Sequence, residues 1–225
     1  MIVTIVTHEL GHVIVAQLCR WKCSYLLLFG VRVHLHNGFR FERVPQNNLL
    51  SFGGAAAIIP PQSKEGLARH YSYILLGGAI ANLVLFALLA GFGLFINLND
   101  LLVLSAMPLL NAIVAILPIK YKYFSTDGKK IANLMKGGDV MREEIIRLYI
   151  GASLESDSIP VFTDSDLSVL TSSSDPVSQY YGYLYSIFMA KKRGDCEACE
   201  QLIAQLGRVK LDKQYAQQID SLFSE

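Results

Sequence analysis

The sequence has few charged residues, and it has long stretches with no basic residue at all. Charged residues make up 17% of its 225 positions, whereas a soluble domain carries about 25%. Hydrophobic residues make up 52%. This composition excludes a disordered chain and argues against a fully water-soluble one.

Other scarce features narrow the function further. The net charge is only +1, so there is no electrostatic case for a nucleic-acid partner. Four cysteines in a chain of this length do not suggest a disulfide scaffold. The apolar N-terminus has no basic region before it and no small-residue cleavage site after it, so we expect that it is not a signal peptide.

Three apolar stretches contain no Lys or Arg, and Glu9 is the only acid in any of them. About 20 mainly apolar residues cross the ~30 Å hydrocarbon core of a bilayer, and each stretch is about that long. We therefore predict an all-α polytopic membrane protein with a three-helix membrane core. The spans are expected near residues 1–19, 73–98 and 101–119.

The basic residues predict the orientation of these spans. Residues 20–72 hold seven of the twenty Lys and Arg residues, and residues 120–225 hold the other thirteen. Because basic loops stay in the cytoplasm, loop 20–72 and the C-terminal region are expected there. The predicted location is therefore the cell membrane, as a multi-pass protein with the lipid bilayer as a partner.

The loop between spans one and two carries two local signals. Residues 31–44 hold two runs of alternating apolar and polar residues around Asn37-Gly38, which predicts a β-hairpin. Residues 49–61 are apolar, rich in Gly and Ala, and too short to span a membrane. We interpret them as a re-entrant loop, which is tolerated where protein or water covers its backbone.

From Asp127 onward the composition is that of a soluble protein. We predict a membrane core over residues 1–135 and a soluble helical C-terminal domain over residues 136–225. Residues 153–175 are rich in Ser and Asp and are expected to form a loop with one short helix. Helical patterns occur near residues 139–152, 175–193, 195–207 and 210–223, and Asp175-Pro176 is typical of a helix start.

His8-Glu9-Leu10-Gly11-His12 is the most informative motif, an HExxH pattern within the first span. Residues i and i+4 share a helix face, so His8 and His12 can both reach one zinc ion. Glu9 lies beside them and can act as a general base. Ionisable residues in a membrane segment are costly and indicate function. The alternative interpretation is a polar cluster that packs the first span against its neighbours.

Through three motifs in three successive spans, the chain resembles the site-2 protease family of intramembrane zinc metalloproteases. HELGH lies in the first span. Residues 78–82 read Gly-x-x-x-Asn in the second, and residues 117–128 run from Leu-Pro to Asp-Gly after the third. Phe-Gly-Gly at residues 52–54 is similar to the loop after the family's first core helix. The resemblance covers about residues 1–135.

The resemblance implies a role for each of five residues. His8, His12 and Asp127 would be the ligands of one zinc ion. Glu9 would act first as general base and then as general acid. Asn82 would hydrogen-bond the substrate backbone or the developing oxyanion, a role that suits a preorganised amide donor.

The chain also departs from the family pattern near the third motif. Ala115 stands where the family has an Asn three residues before Pro118, and Asn111 lies one helical turn earlier. The segment between Pro118 and Asp127 is longer than in the family and contains two lysines. Asp127 must therefore fold back towards the membrane to reach zinc.

The hairpin at residues 31–44 would present an unwound substrate as an added strand.

The predicted function is an intramembrane zinc metalloendopeptidase. It would hydrolyse peptide bonds in or near the transmembrane segment of a membrane-anchored protein or peptide, as in regulated intramembrane proteolysis. The alternative is a catalytically inactive membrane adaptor or immunity-type protein of the same fold, whose C-terminal helices bind a protein partner. The intact HELGH motif favours the enzyme, because a scaffold has no need of Glu9. A soluble zincin is disfavoured by the three stretches without Lys or Arg.

Two further pairs have the spacing of metal ligands. His34 and His36 share one face of the predicted hairpin, although a polar hairpin face is the simpler interpretation. Cys196 and Cys199 have redox or zinc spacing, but no second pair accompanies them and they begin a helical segment. We interpret both cysteines as part of that helix.

Overall fold

The structure is a computed structural model that describes residues 1–35, 39–43, 54–61, 66–121, 124–153 and 162–212. The described residues are mostly helical, with a small β-sheet. They form two compact units, one within Met1–Met135 and the other within Lys136–Glu225.

Three apolar helices dominate the first unit: α1 (Ile2–Leu18), α2 (Leu67–Phe95) and α3 (Asn99–Ile116). Two of them, α2 and α3, are long and apolar enough to cross a membrane, with mean hydropathies of 2.3 and 1.7. The first, α1, is apolar but only 17 residues long. The three-span topology and its orientation stay predictions.

Close packing between α1 and α2 depends on two glycines. A Cβ atom on Gly11 would overlap the carbonyl oxygen of Gly77, and one on Gly77 would lie 2.6 Å from the carbonyl oxygen of Gly11. Small residues allow membrane helices to meet backbone to backbone in this way. This contact brings the HELGH segment directly against α2.

An antiparallel sheet accompanies these helices. Its strands are β1 (Lys22–Leu28), β2 (Val31–His34), β3 (Arg40–Arg43) and β4 (Gly54–Ile59), in the order β3-β2-β1-β4. The two alternating runs of the predicted hairpin form β2 and β3, with Val33 opposite Phe41. The predicted turn at residues 36–38 lies outside the described residues. Leu26 of β1 packs with Val13 of α1 in a small apolar core.

This sheet corrects two predictions. The sheet has four strands where a two-stranded hairpin was expected, and residues 54–59, expected in a re-entrant loop, form β4, an edge strand among the described residues. The sequence of β1 does not alternate, and β4 is rich in Ala and Gly, which have weak β-propensity. Their pairing, which sets Leu28 opposite Gly54, joins segments that are distant in sequence, so no local pattern predicts it. Residues 49–53 lie outside the described residues.

Four helices make up the described part of the second unit. They are α5 (Gly138–Ser153), α6 (Asp164–Thr171), α7 (Pro176–Arg193) and α8 (Cys196–Leu206). The start of α7 is confirmed, since the Asp175 side chain accepts from the backbone N–H of Val177. The core contains Ile150, Leu170 and Tyr185. Of the helix predicted over residues 210–223, residues 213–223 lie outside the described residues.

Candidate metal centre

Three side chains from two distant segments converge beside α2. His8 and His12 lie one turn apart on α1, and Asp127 is the first residue of α4 (Asp127–Lys136). Nε2 of His8 is 3.1 Å from Nε2 of His12. Oδ2 of Asp127 is 3.1 Å from Nε2 of His8 and 3.3 Å from Nε2 of His12. Among the described residues, this group has the composition of a metal site.

The arrangement fits zinc in both spacing and proton balance. Tetrahedral zinc with bonds of about 2.0–2.1 Å places its ligand atoms roughly 3.3–3.4 Å apart. Nδ1 of His12 donates to the carbonyl oxygen of Ile74 at 2.7 Å. A neutral His12 therefore presents the lone pair of Nε2 to the Asp127 carboxylate. Both groups are acceptors and repel each other, so a cation between them would be stabilising. Because Nε2 of His8 is a third ligand atom at the same point, a metal ion fits this position better than a proton.

The electrostatics of Asp127 suit a metal ligand. Burial alone would raise its pKa, but the hydrogen bonds that His12 and His8 donate when their Nε2 atoms carry a proton, and the charge of Lys130, hold that pKa well below its usual range. The ammonium of Lys130 lies 3.7 Å from Oδ1, the oxygen that points away from the imidazoles. Asp127 is therefore ionised, with Oδ2 directed at the two histidines.

The chain after α3 folds back through a short ribbon, β5 (Lys120–Tyr121) paired with β6 (Phe124–Ser125). Thr126, which follows it, is fastened to the end of α3. Its hydroxyl donates to the carbonyl oxygen of Leu117 at 2.5 Å, and its backbone N–H donates to that of Ile119 at 3.0 Å. These bonds bring the start of α4 back to the helices despite the long segment after Pro118.

Gly128 makes this approach sterically feasible. A Cβ atom there would overlap the carbonyl oxygen of Ile116 in the last turn of α3. Only glycine allows the two backbones to come this close. In the Asp-Gly pair, Gly128 therefore sets the position of α4, and Asp127 supplies the carboxylate.

Glu9 is buried beneath the edge strand of the sheet, with 7% of its surface exposed. A Cβ atom on Gly54 would lie 2.6 Å from Cγ and 2.7 Å from Oε1 of Glu9, so β4 passes directly over the carboxylate. Burial and the neighbouring Glu9 raise the pKa of the Cys23 thiol to about 11. The Cys23 thiol is therefore protonated near neutral pH.

The Gly-x-x-x-Asn segment of α2 faces the same site. A Cβ atom on Gly78 would lie 2.7 Å from Nε2 of both His8 and His12, so glycine leaves the space that the imidazoles occupy. Asn82 is fully buried. Its Nδ2 donates to Oδ1 of Asn111 at 2.8 Å and lies 3.5 Å from Nδ1 of His8. The roles assigned to these residues stay predictions.

The weaker candidates are not part of this group. His34, half-buried on β2, pairs with Glu42 at 3.1 Å, and His36 lies outside the described residues. Cys199 is buried, with its thiol 3.8 Å from the carbonyl oxygen of Ile187, whereas Cys196 is exposed. The sequence analysis missed Lys130, whose only signal is a basic side chain one helical turn after Asp127.

Comparison with known families decides the class of protein. The sequence model of peptidase family M50 matches residues 1–224. The chain belongs to peptidase family M50. This confirms the resemblance to the site-2 protease family. M50 membership implies a hydrolase of the metallopeptidase class, from a family of membrane-embedded zinc proteases. No curated protein and no solved structure gives a significant match to this M50 chain.

Proposed function

We propose that this M50 peptidase is an intramembrane zinc metalloendopeptidase that hydrolyses peptide bonds in or near transmembrane segments of membrane-bound substrates. The observation that carries the proposal is the convergence of three ligand atoms, from His8, His12 and Asp127, within 3.3 Å of one another. The buried carboxylate of Glu9, next to His8 in the chain, adds the group that proteolysis requires.

Each residue has a defined task in this chemistry. His8, His12 and Asp127 would hold zinc, which when bound polarises the peptide carbonyl and makes a water molecule more acidic. Glu9 accepts the proton of the attacking water and then donates it to the leaving amide nitrogen. Strand β4 covers Glu9 and keeps bulk water from competing for this carboxylate.

The free edge of β4 is the better candidate for presenting substrate. In the described part of the chain β4 pairs only with β1, and its first residue, Gly54, touches Glu9. The hairpin at residues 31–44 was expected to present the substrate, but its strands β2 and β3 lie on the other side of β1. A substrate helix must unwind first, because its carbonyls are engaged; an unwound segment could then pair with β4 beside Glu9.

The proposal also covers the contact of Asn82 with the substrate and the side of the membrane on which the loop and the C-terminal helices lie. The amide of Asn82 would contact the substrate backbone or the developing oxyanion. Loop 20–72 and the C-terminal helices would lie in the cytoplasm, where these helices would offer a surface to a protein partner.

The test is cleavage of a peptide with one transmembrane segment by the full chain purified in detergent. We expect cleavage by the wild type and a rate about 10²–10⁴-fold lower for Glu9→Gln, because the general base is lost. Zinc content should not change. Glu197→Gln, at an exposed position on α8, is the matched control and should cleave normally. Wild-type protein that binds zinc but cleaves no more than Glu9→Gln would favour the adaptor.

A further inference from the structure

The two imidazoles at the metal centre have different partners behind them. Nδ1 of His12 donates to the backbone carbonyl oxygen of Ile74 at 2.7 Å. Nδ1 of His8 faces the side-chain amide of Asn82, whose Nδ2 is 3.5 Å away. A carbonyl group fixed in a helix therefore orients one imidazole, whereas an amide that can rotate lies behind the other.

Binding zinc through Nε2 would leave His8 with a proton that needs an acceptor. An imidazole that gives Nε2 to a metal carries its proton on Nδ1. That N–H would face Nδ2 of Asn82, which is also a donor. Oδ1 of Asn82, the acceptor that His8 needs, is buried and has no hydrogen-bond partner among the described residues.

The bond between Asn82 and Asn111 is compatible with either orientation of the Asn82 amide. Nδ2 of Asn82 donates to Oδ1 of Asn111 at 2.8 Å. Turning both amides by half a rotation preserves this bond with donor and acceptor exchanged. Oδ1 of Asn82 then accepts from both His8 and Asn111, as its two lone pairs allow. Nδ2 of Asn82 then takes the buried position that Oδ1 had.

We infer that Asn111 and Asn82 are a positioning pair for His8. Asn111 donates to Asn82, and Asn82 accepts the Nδ1 proton of His8 when Nε2 of His8 holds the metal. The inference rests on the proposed zinc site, and it gives Asn111, which is one turn away from the family's usual Asn position, a task of its own.

Substitutions by Asp test the direction of these hydrogen bonds, because a carboxylate only accepts. Zn²⁺ affinity is measured by chelator competition on the full chain in detergent, and the Co²⁺ absorption spectrum reports ligand geometry. Asn82→Asp should bind Zn²⁺ within about threefold of wild type, since its acceptor is kept. Asn111→Asp and Asn111→Leu should bind about 10–100-fold more weakly, with an altered Co²⁺ spectrum.

Two controls make the result specific. Both Asp variants add one carboxylate, so opposite effects cannot arise from charge alone. Ser105→Ala removes a different polar side chain of α3, a buried hydroxyl that donates to the carbonyl oxygen of Leu102 in the same helix, and should leave Zn²⁺ affinity unchanged. If Asn111→Leu does not fold, the two Asp variants still decide the question.

The outcomes separate this inference from the proposed function. Weak binding by Asn82→Asp together with normal binding by Asn111→Asp would reverse the assigned direction and overturn the inference. Equal binding by all variants would also overturn it, while wild-type zinc binding and cleavage left the proposed function intact. A wild-type chain that binds no Zn²⁺ would remove the proposed function and the inference with it.

Discussion

Each unit of the molecule contains a buried cluster of polar side chains, and the two clusters differ in their balance of donors and acceptors. In the C-terminal unit, the hydroxyls of Ser173 and Ser178 donate to the Glu143 carboxylate at 2.9 and 2.7 Å. Arg147 donates to Asp175 at 2.9 Å. These donors match the acceptors that they meet, so the cluster is complete as a structural network.

The cluster in the N-terminal unit lacks this balance. His8, His12 and Asp127 bring ligand lone pairs together within 3.3 Å, and an unpaired oxygen of Asn82 lies nearby. Burial alone therefore does not distinguish a functional site from a structural one. The surplus of acceptors, which a cation would neutralise, is the feature that marks the candidate metal centre.

The largest predicted difference between the two clusters is in the effects of replacing one aspartate in each, Asp127 and Asp175. Asp127→Ala should lower Zn²⁺ affinity at least about 100-fold and abolish cleavage, because it removes a ligand. Asp175→Ala should leave both unchanged but lower the free energy of unfolding by about 1–3 kcal/mol, because it removes a helix cap and the partner of Arg147. Chelator competition and thermal unfolding measure these effects. Full Zn²⁺ binding by Asp127→Ala would break the comparison.

A smaller effect is expected at Gly128, which allows α4 to pack against the end of α3. Gly128→Ala should weaken Zn²⁺ binding by about 10–100-fold, because its methyl group would push α4 and Asp127 away from Ile116. Gly151→Ala is the matched control, since a Cβ atom there meets nothing within 4 Å. Equal Zn²⁺ affinities for the two variants would show that the position of Asp127 does not depend on this contact.

The polar cluster of the C-terminal unit should contribute to the stability of the fold but not to Zn²⁺ binding or cleavage. Ser178→Ala leaves one oxygen of the Glu143 carboxylate without its donor and should lower the free energy of unfolding by about 1–3 kcal/mol. Faster amide hydrogen exchange in α5 and α7 would report this loss. Cleavage and Zn²⁺ affinity should match those of wild type, and a change in Zn²⁺ affinity would contradict the assignment of this cluster to structure.

The smallest effect is expected at His34, the half-buried histidine of the sheet. His34→Ala removes a surface pair with Glu42, which is worth no more than about 1 kcal/mol. Zinc content should stay the same as in wild type, as measured by metal analysis. A loss of zinc would instead support the alternative in which the hairpin histidines bind metal.

The sequence predicts the parts of this site that depend on local periodicity. The i, i+4 spacing of His8 and His12 defines one helix face, and alternation identifies the strands β2 and β3. The pairing of β1 with β4 could not be predicted, because neither strand alternates cleanly and the partners are far apart in sequence. This pairing is what covers Glu9.

Two other features depend on tertiary contacts that no short pattern records. Thr126 and Gly128 bring Asp127 back to the histidines through bonds and close packing with the end of α3. The sequence shows only a long segment with two lysines there. The bond between Asn82 and Asn111 joins two helices, and the sequence indicates only that an Asn stands one turn from its usual place.

The central claim is that His8, His12 and Asp127 bind one zinc ion. The most direct test is the metal content of the full chain purified in detergent and reconstituted with Zn²⁺, wild type beside His8→Ala. The account predicts about one zinc per wild-type chain and close to none in His8→Ala. A folded wild-type chain without zinc, or a His8→Ala chain that retains it, would contradict the account.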